Sequence, residues 1–306
     1  MASTEPTRRE GIIVPLVTPI TAGGALDEPA LRRLVDRVID GGVHGIFALG
    51  TTGEMPSLER AMRHEVVRII AEANAGRVPL YAGVTDPSFG ETVANAERYR
   101  ALGADYFVAL VPYYYPLTEA EILAYFLRLA EATGGPLLIY DFPAMTKMAT
   151  SHAVLDQLSQ DGRFAGYKDS SGNALGLWQL LGRLEGREGF SIFVGPEALL
   201  ADAVLWGAAG GVSGGANVWP ELLVSIYEAA RARDLAALDT LRNQLRARHR
   251  IFQVGDGGSP VIAGLKGALE SLGVCERHLL PPLKTLDDAQ AAEVRRIVSS
   301  LGAQEL

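Results

Sequence analysis

Short apolar segments alternate with longer amphipathic segments along most of the chain. The short segments are rich in β-branched and aromatic residues, and they cover residues 11–18, 45–50, 79–84, 105–112, 136–141, 164–168, 191–195 and 210–215. Near-continuous apolar runs of this kind are typical of parallel strands buried on both faces. The segments between them carry apolar residues at helical spacing, and two of them end at Gly41 and Gly134. The pattern predicts eight successive βα units.

Eight βα units by residue 215 favour an α/β chain folded as a (β/α)8 TIM barrel. The alternative is an open doubly wound sheet, which would carry a glycine-rich phosphate loop after its first strand. Residues 20–28, ITAGGALDE, lack the GxGxxG spacing of that loop. From about Trp219 the pattern becomes helical throughout. We therefore expect a barrel with the active site over residues 1–218, and the last barrel helix with a C-terminal helical appendage over residues 219–306.

Composition and charge narrow the classes of partner. The net charge is -8 and no basic run interleaves with aromatic residues, so no nucleic-acid partner is expected. No window approaches the roughly 18 uninterrupted apolar residues that a membrane helix needs, and the first ten residues, MASTEPTRRE, contain no apolar leader. These features favour a cytoplasmic protein without a membrane partner. The single cysteine, Cys275, excludes an internal disulfide.

Lysine is rare in this chain and occurs only at positions 147, 168, 266 and 284. Lys168 ends the sixth predicted strand, in GYKDSSG, and the chemistry of TIM barrels lies at the carboxyl ends of their strands. Burial at such a position lowers the pKa of the ammonium group and leaves a neutral amine that attacks carbonyls. The alternative is a structural lysine paired with Asp169 or with a helix C-terminus. The spacing favours Schiff-base chemistry at Lys168, with Asp169 as a supporting neighbour.

Schiff-base chemistry also needs an anion clamp and a proton shuttle near the amine. GTTGE, residues 50–54, follows the second predicted strand and offers two hydroxyls and backbone N–H groups to a small anion. A tight turn whose threonines bond their own backbone is the other interpretation. We expect Glu54 to hold this loop as a structural acceptor.

Aromatic residues close two more strands. PYYYP, residues 112–116, follows the fourth predicted strand, and Tyr140 closes the fifth, beside the predicted end of strand six. A phenol relays protons when a neighbouring group tunes it. Packing in the barrel mouth, and a core tyrosine with a satisfied hydroxyl, are the alternatives.

Metal chemistry finds little support. No HxH or HExxH motif occurs, and the histidines are scattered at positions 44, 64, 152, 249 and 278. A metal-dependent aldolase is therefore not expected.

Taken in order, the motifs GTTGE, PYYYP, YDFPAMT, GYKDSSG, VGPE and GGVSGGAN resemble the dihydrodipicolinate synthase and N-acetylneuraminate lyase family of class I aldolases, over nearly the whole chain. The resemblance implies a Schiff base between pyruvate and Lys168, with no metal or other cofactor. It implies Tyr140 as proton shuttle, and Thr51, Thr52 and Gly53 as the loop that holds the pyruvate carboxylate, with Thr51 also in the catalytic set. It further implies a homotetramer, a dimer of dimers, in which Tyr114 completes the proton relay of a neighbouring subunit.

Departures from the family pattern concern the second substrate. Resemblance to the synthases would imply an arginine five residues after the strand-five tyrosine, where it clamps the carboxylate of aspartate semialdehyde, but this chain has Met145. The PYYYP and GGANVWPE segments look more like those of 2-keto-3-deoxygluconate aldolases. Glu197 matches an acidic position that contacts sugar hydroxyls in neuraminate lyases. The substrate-binding set implied beyond the GTTG loop is Met145, Gly195, Glu197, Val212 and Gly214.

The resulting hypothesis is a pyruvate-dependent aldolase that reversibly cleaves a 2-keto-3-deoxy sugar acid, or a similar 2-oxo acid, to pyruvate and an aldehyde. One alternative is 4-hydroxy-tetrahydrodipicolinate synthase, which condenses pyruvate with aspartate semialdehyde. Another is a dehydratase that uses the same lysine. A non-catalytic pyruvate-binding module is the alternative from a different class, and the nucleophile Lys168 speaks against it.

Overall fold

A computed structural model describes residues 9–302 as one closed barrel of eight parallel strands. Each strand pairs with the next, and the eighth returns to the first. The prediction of a TIM barrel is confirmed. The prediction that no apolar leader is present falls largely on residues 1–8, which lie outside the described residues. The strands are β1 Gly11–Pro15, β2 Gly45–Ala48, β3 Leu80–Gly83, β4 Tyr106–Leu110, β5 Leu137–Asp141, β6 Phe164–Asp169, β7 Ser191–Val194 and β8 Gly210–Val212.

Most strands are shorter than the apolar pattern predicts, and the carboxyl ends of β1 and β8 differ from it most. β1 stops at Pro15 and β8 at Val212. Buried Asn217 explains the first boundary, because its Oδ1 accepts the N–H of Val17 at 3.0 Å and its Nδ2 donates to the carbonyl oxygen of Pro15 at 2.9 Å. Leu16 still donates its N–H to the carbonyl oxygen of Phe47 on β2 at 3.0 Å, but the N–H of Val17 bonds the Asn217 side chain instead of a neighbouring strand.

Apolar side chains fill the barrel from within and from outside. The larger cluster lies between strands and helices. At Gly210, an added Cβ would lie 2.0 Å from the carbonyl oxygen of Gly11, so only glycine lets β8 approach β1 closely enough to close the barrel. The interior cluster consists of Ile13, Phe47, Tyr81, Val108, Leu138, Tyr140, Phe193, Ala209 and Val212.

Amphipathic helices surround the barrel. α1 and α4 end at Gly41 and Gly134, as predicted. Thr118 and Glu121 form a capping box that satisfies N–H groups at the start of α4. The helices are α1 Glu28–Asp40, α2 Arg60–Asn74, α3 Phe89–Ala101, α4 Glu119–Thr133, α5 Pro143–Thr146, α6 His152–Leu158, α7 Ala174–Arg183, α8 Leu200–Leu205, α9 Pro220–Arg231, α10 Leu235–Arg248, α11 Pro260–Ser271 and α12 Asp288–Gly302.

The C-terminal helices reach the end of the barrel where the strands finish. α9 packs against α8 and β1, and α10 packs against α9. α11 contacts both the short helix Gly214–Asn217, which follows β8, and the short helix His249–Gln253. This packing brings residues 249–262 to the mouth of the barrel. The division of the chain at residues 218 and 219 stays a prediction.

Among residues 9–302, no helix is both long enough and apolar enough to cross a bilayer.

Candidate active site

A cavity of about 400 Å³ opens at the carboxyl ends of the barrel strands. Its walls come from the strand ends, from α5, and from residues 249–262 of the C-terminal helices. Nine of the site residues predicted from the sequence line it: Thr51, Thr52, Tyr140, Met145, Lys168, Gly195, Glu197, Val212 and Gly214. Gly53 and Tyr114 are absent from this lining.

Lys168 lies on the floor of the cavity and is only 4% exposed. Its Nζ is 3.9 Å from the centroid of the Tyr140 ring and 5.2 Å from that of Phe47. No ion pair joins Lys168 to a carboxylate in the part of the chain that the structure describes. Burial without a compensating negative charge lowers its pKa to about 7. A large fraction of the side chain is therefore a neutral amine near neutral pH.

The two acidic residues next to the catalytic positions point away from Lys168. Asp141 and Asp169 are register partners on β5 and β6, one residue after Tyr140 and Lys168, so strand alternation turns them to the outside of the barrel. Asp169 Oδ1 accepts the N–H of Ser171 at 2.7 Å, and Asp141 Oδ1 accepts that of Thr150 at 2.8 Å. Asp169 supports the loop after Lys168 and does not neutralise its charge.

Tyr140 lies beside Lys168 because the two are direct register partners on neighbouring strands. The Tyr140 hydroxyl is 3.3 Å from Thr51 Oγ1, and Ser170 provides a second side-chain hydrogen bond. Burial raises the pKa of Tyr140 to about 12, although both hydrogen bonds oppose the shift. The phenol is thus protonated at neutral pH and is placed to pass a proton between Thr51 and a group bound at Lys168.

The GTTGE loop presents only part of its backbone to a ligand. The N–H of Gly53 donates to Gly50 and that of Glu54 donates to Thr51, both at 3.0 Å, and the Gly53 carbonyl accepts from Thr18 Oγ1 at 2.7 Å. The N–H groups of Thr51 and Thr52 make no hydrogen bond to any residue within 9–302. The loop can hold a carboxylate through Thr51 and Thr52, whereas Gly53 serves the turn.

Glu54 anchors this loop from below through a buried ion pair. Its Oε1 lies 2.5 Å from Lys266 Nζ on α11, and both side chains are fully buried. Its Oε2 accepts the N–H of Leu280 at 2.9 Å, while Lys266 also donates to the carbonyl oxygen of His278 at 2.7 Å. The sequence prediction that Glu54 is a structural acceptor is confirmed. The pair joins the anion-binding loop to the C-terminal helices.

The outer wall of the cavity is mostly apolar. Its apolar side chains are Phe142, Met145, Pro196, Phe252, Pro260, Val261 and Ile262. Met145 is 49% exposed at the rim. Arginine is absent from the lining, within the limits of the described residues, and Lys168 is its only lysine. Lys147 lies outside the lining and donates to the carbonyl oxygen of Ala144 at 2.7 Å. The described part of the cavity lining therefore supplies no arginine and no second lysine to pair with a second carboxylate.

Glu197 is buried in the wall and already has partners for both carboxylate oxygens. Oε2 accepts the N–H of Gly215 at 2.7 Å, and Oε1 lies 2.9 Å from Nε2 of His249. Its side chain is thus placed at the cavity, as the sequence predicts, but it is held by the protein.

Tyr114 and Tyr115 project from the loop after β4 and are 84% and 72% exposed. Tyr114 has a φ of 105°, a strained value for a residue with a side chain. Tyr113, in contrast, turns inward and lines a smaller pocket of about 230 Å³ together with Thr51, Tyr140 and Met145. The chain does not supply Tyr114 to its own cavity.

Three polar residues of the cavity lining are not among the site residues predicted from the sequence: Ser170, His249 and Ser259. Ser170 directly follows the GYKD segment and could have been found from its position. His249 and Ser259 come from a helical region with no motif, and only the packing of α10 and α11 places them here. Within residues 9–302, no group of three or more His, Cys, Asp or Glu side chains is arranged to hold a metal ion.

The sequence model of the Dihydrodipicolinate synthetase family matches residues 8–301. The chain is 35% identical to a protein of Halobacterium salinarum described as an uncharacterized DapA-like lyase, over 98% of this chain and 96% of the other. It is 30% identical to a probable 2-dehydro-3-deoxy-D-pentonate aldolase of Escherichia coli, over 95% of this chain and 97% of that one.

A solved structure of similar fold is dihydrodipicolinate synthase from Bacteroides thetaiotaomicron. Its TM-score is 0.92 at 34% identity, and the match covers 95% of this chain and 98% of the other. The similarity therefore extends over the barrel and the C-terminal helices together.

Proposed function

The chain belongs to the dihydrodipicolinate synthetase family and is a lyase of the class I aldolase type, and we propose that it uses Lys168 to join pyruvate reversibly to a neutral hydroxyaldehyde. The observation that carries this proposal is the buried, unpaired Lys168 beside the Tyr140 and Thr51 hydroxyls. A 2-keto-3-deoxy sugar acid is the corresponding cleavage substrate.

Covalent chemistry begins when the neutral amine of Lys168 adds to the ketone carbon of the 2-oxo acid. The resulting carbinolamine loses its hydroxyl as water, with a proton supplied through Tyr140, and leaves a protonated imine. Thr51 and Thr52 hold the carboxylate with their hydroxyls and free N–H groups, which fixes the ketone next to the amine.

Cleavage then uses the imine as an electron sink. The C4 hydroxyl gives up its proton, the C3–C4 bond breaks, and the electron pair flows into the imine to form an enamine while the aldehyde departs. Protonation of the enamine at C3 and addition of water release pyruvate and restore the free amine. Tyr140 and Thr51 are the hydroxyls placed to move these protons.

We expect the second substrate to be neutral because the described lining of the cavity contains no arginine and no lysine other than Lys168. A second carboxylate in a mostly apolar cavity would be desolvated without a partner, a cost of several kcal/mol in general. With Met145 at the rim and Lys147 turned to Ala144, aspartate semialdehyde lacks the bidentate partner that its carboxylate needs. The name of the E. coli relative, a probable aldolase of a 2-dehydro-3-deoxy sugar acid, supports the same choice.

Reduction with borohydride in the presence of pyruvate tests the proposal. We expect mass spectrometry to find one pyruvate-derived adduct per chain, on the peptide that contains Lys168. We also expect condensation with glyceraldehyde to be at least about 100-fold more efficient than with aspartate semialdehyde, since the anionic acceptor leaves a charge unpaired. An adduct on another lysine refutes the assignment of Lys168. Efficient use of aspartate semialdehyde would favour the synthase instead.

A homotetramer in which Tyr114 enters the proton relay of a neighbour is part of the proposal. Two separate exposed apolar patches support two kinds of subunit contact: one contains Tyr114 and Tyr115, and the other contains Leu175, Trp178 and Trp206. We expect light scattering to give four times the chain mass, and Tyr114→Phe to lower turnover about 10- to 100-fold at unchanged mass. A monomer with full activity would refute both parts.

A further inference from the structure

His249 is a polar side chain of the outer wall, and a hydrogen bond to Glu197 fixes its orientation. It follows α10 directly and lines the cavity that contains Lys168. Its Nε2 is 2.9 Å from Glu197 Oε1, and its ring centroid is 5.2 Å from that of Phe252. The imidazole is held at one nitrogen and packed on one side.

Glu197 fixes the tautomer as well as the position of this ring. A carboxylate only accepts hydrogen bonds, so Nε2 carries a proton. Glu197 itself cannot turn away easily, because its other oxygen accepts the N–H of Gly215 at 2.7 Å. An added Cβ at Gly215 would lie 2.5 Å from Glu197 Oε1, so the glycine leaves room for the carboxylate. The wall therefore holds the His249 ring in one orientation.

The second ring nitrogen of His249, Nδ1, makes no hydrogen bond to any residue that the structure describes. With the proton on Nε2, Nδ1 of the neutral ring accepts a hydrogen bond, and in the imidazolium form it donates one. A hydroxyl suits both forms because it can donate as well as accept.

We propose that His249, oriented by Glu197, binds a hydroxyl group on the aldehyde-derived part of the substrate and so selects hydroxylated acceptors over alkyl ones. The assignment rests on the proposed function, because it concerns the second substrate of the same cavity. It gives Glu197 the role of a positioning residue: the carboxylate acts through the imidazole rather than by contacting the substrate. The mostly apolar side chains around His249 then pack against the carbon atoms of the substrate.

The test compares two acceptors of equal carbon number, glyceraldehyde and propanal, in condensation with pyruvate. In the unaltered enzyme we expect kcat/KM to favour glyceraldehyde by about 10- to 100-fold, as is typical when a pocket group is left without its hydrogen bond. His249→Gln keeps a donor to Glu197 at the former Nε2 position but removes Nδ1. This variant is expected to lower the ratio of the two kcat/KM values by about 10-fold or more.

His249→Asn is the complementary variant. It keeps a polar atom near the former Nδ1 position but loses the bond to Glu197, and it is expected to keep more of the preference than His249→Gln does. The control for the loss of a histidine is His64→Gln. His64 lies on α2 outside the cavity, and its Nδ1 is 3.6 Å from Oε1 of a neighbouring glutamate, Glu65. That variant should keep the full ratio.

Trapping with pyruvate and borohydride separates the two ways in which the test can fail. If the adduct forms on Lys168 but the unaltered enzyme does not prefer glyceraldehyde, or His249→Gln keeps that preference, the role of His249 is refuted and the proposed function stands. If no adduct forms in the unaltered enzyme, the proposed function fails and the role of His249 with it. The adduct also serves as the check that each variant has folded.

Discussion

Lys168→Ala is expected to lower turnover of pyruvate condensation by about 10⁴-fold or more, and to abolish the borohydride-trapped adduct. Among the described residues, Lys168 is the only lysine in the cavity lining, and its lowered pKa favours the neutral amine that the proposed mechanism needs as nucleophile. Loss of a covalent nucleophile removes the electron sink as well as the bond, so binding of pyruvate by Thr51 and Thr52 cannot compensate. Turnover and intact mass after reduction are the two measurements.

The control is Lys147→Ala, which removes an exposed lysine whose Nζ contacts only the carbonyl oxygen of Ala144. It should leave adduct formation unchanged. In the unaltered enzyme, the rate of adduct formation should rise with pH and level off above about 7, because the amine of Lys168 loses its proton there. A rise that continues to about pH 10, the range of an ordinary lysine, would show that Lys168 is not desolvated when it reacts.

The barrel follows from the sequence because its strands are marked by strong local signals. Each is a short apolar run bounded by a loop, and amphipathic segments separate successive runs, so the periodicity alone fixes the order of elements. The strand ends are less well determined. β1 stops at Pro15 because Asn217, about two hundred positions away, supplies the next hydrogen bonds.

The part of the site built from strand ends could also be predicted. Lys168 and Tyr140 meet because adjacent parallel strands bring equivalent ends together, and the loop after β2 is found for the same reason. The orientation of single groups could not be predicted: which N–H groups of the GTTGE loop are free depends on the turn that it forms. The residues of the outer wall could not be predicted, because His249 belongs to a helical segment whose packing on the barrel has no local signal in the sequence.

The packing of the C-terminal helices on the barrel changes the interpretation of Glu197. The resemblance to neuraminate lyases implies a carboxylate that contacts substrate hydroxyls at this position. In the folded chain, Gly215 and His249 occupy both of its oxygens. In this position the Glu197 carboxylate orients His249, a residue whose place in the cavity could not be recognised from the sequence.

Tyr140→Phe is expected to lower turnover about 10²- to 10⁴-fold while still allowing slow formation of the pyruvate adduct. Its hydroxyl links Thr51 to the group bound at Lys168, and the raised pKa keeps it protonated as a donor. Removing the oxygen leaves the nucleophile intact but interrupts every proton transfer that the relay serves. The measurements are kcat for condensation and the rate of borohydride trapping, made on the same preparation.

The matched control is Tyr81→Phe, which removes another hydroxyl from the barrel interior. Tyr81 is also buried and stacks on Tyr106 with ring centroids 4.6 Å apart, but it does not line the cavity. It should keep turnover within a few-fold of the unaltered enzyme, because neither Lys168 nor Thr51 depends on it. Equal losses in both variants would mean that Tyr140 acts by packing, whereas a loss confined to Tyr140→Phe assigns the proton transfer to its hydroxyl.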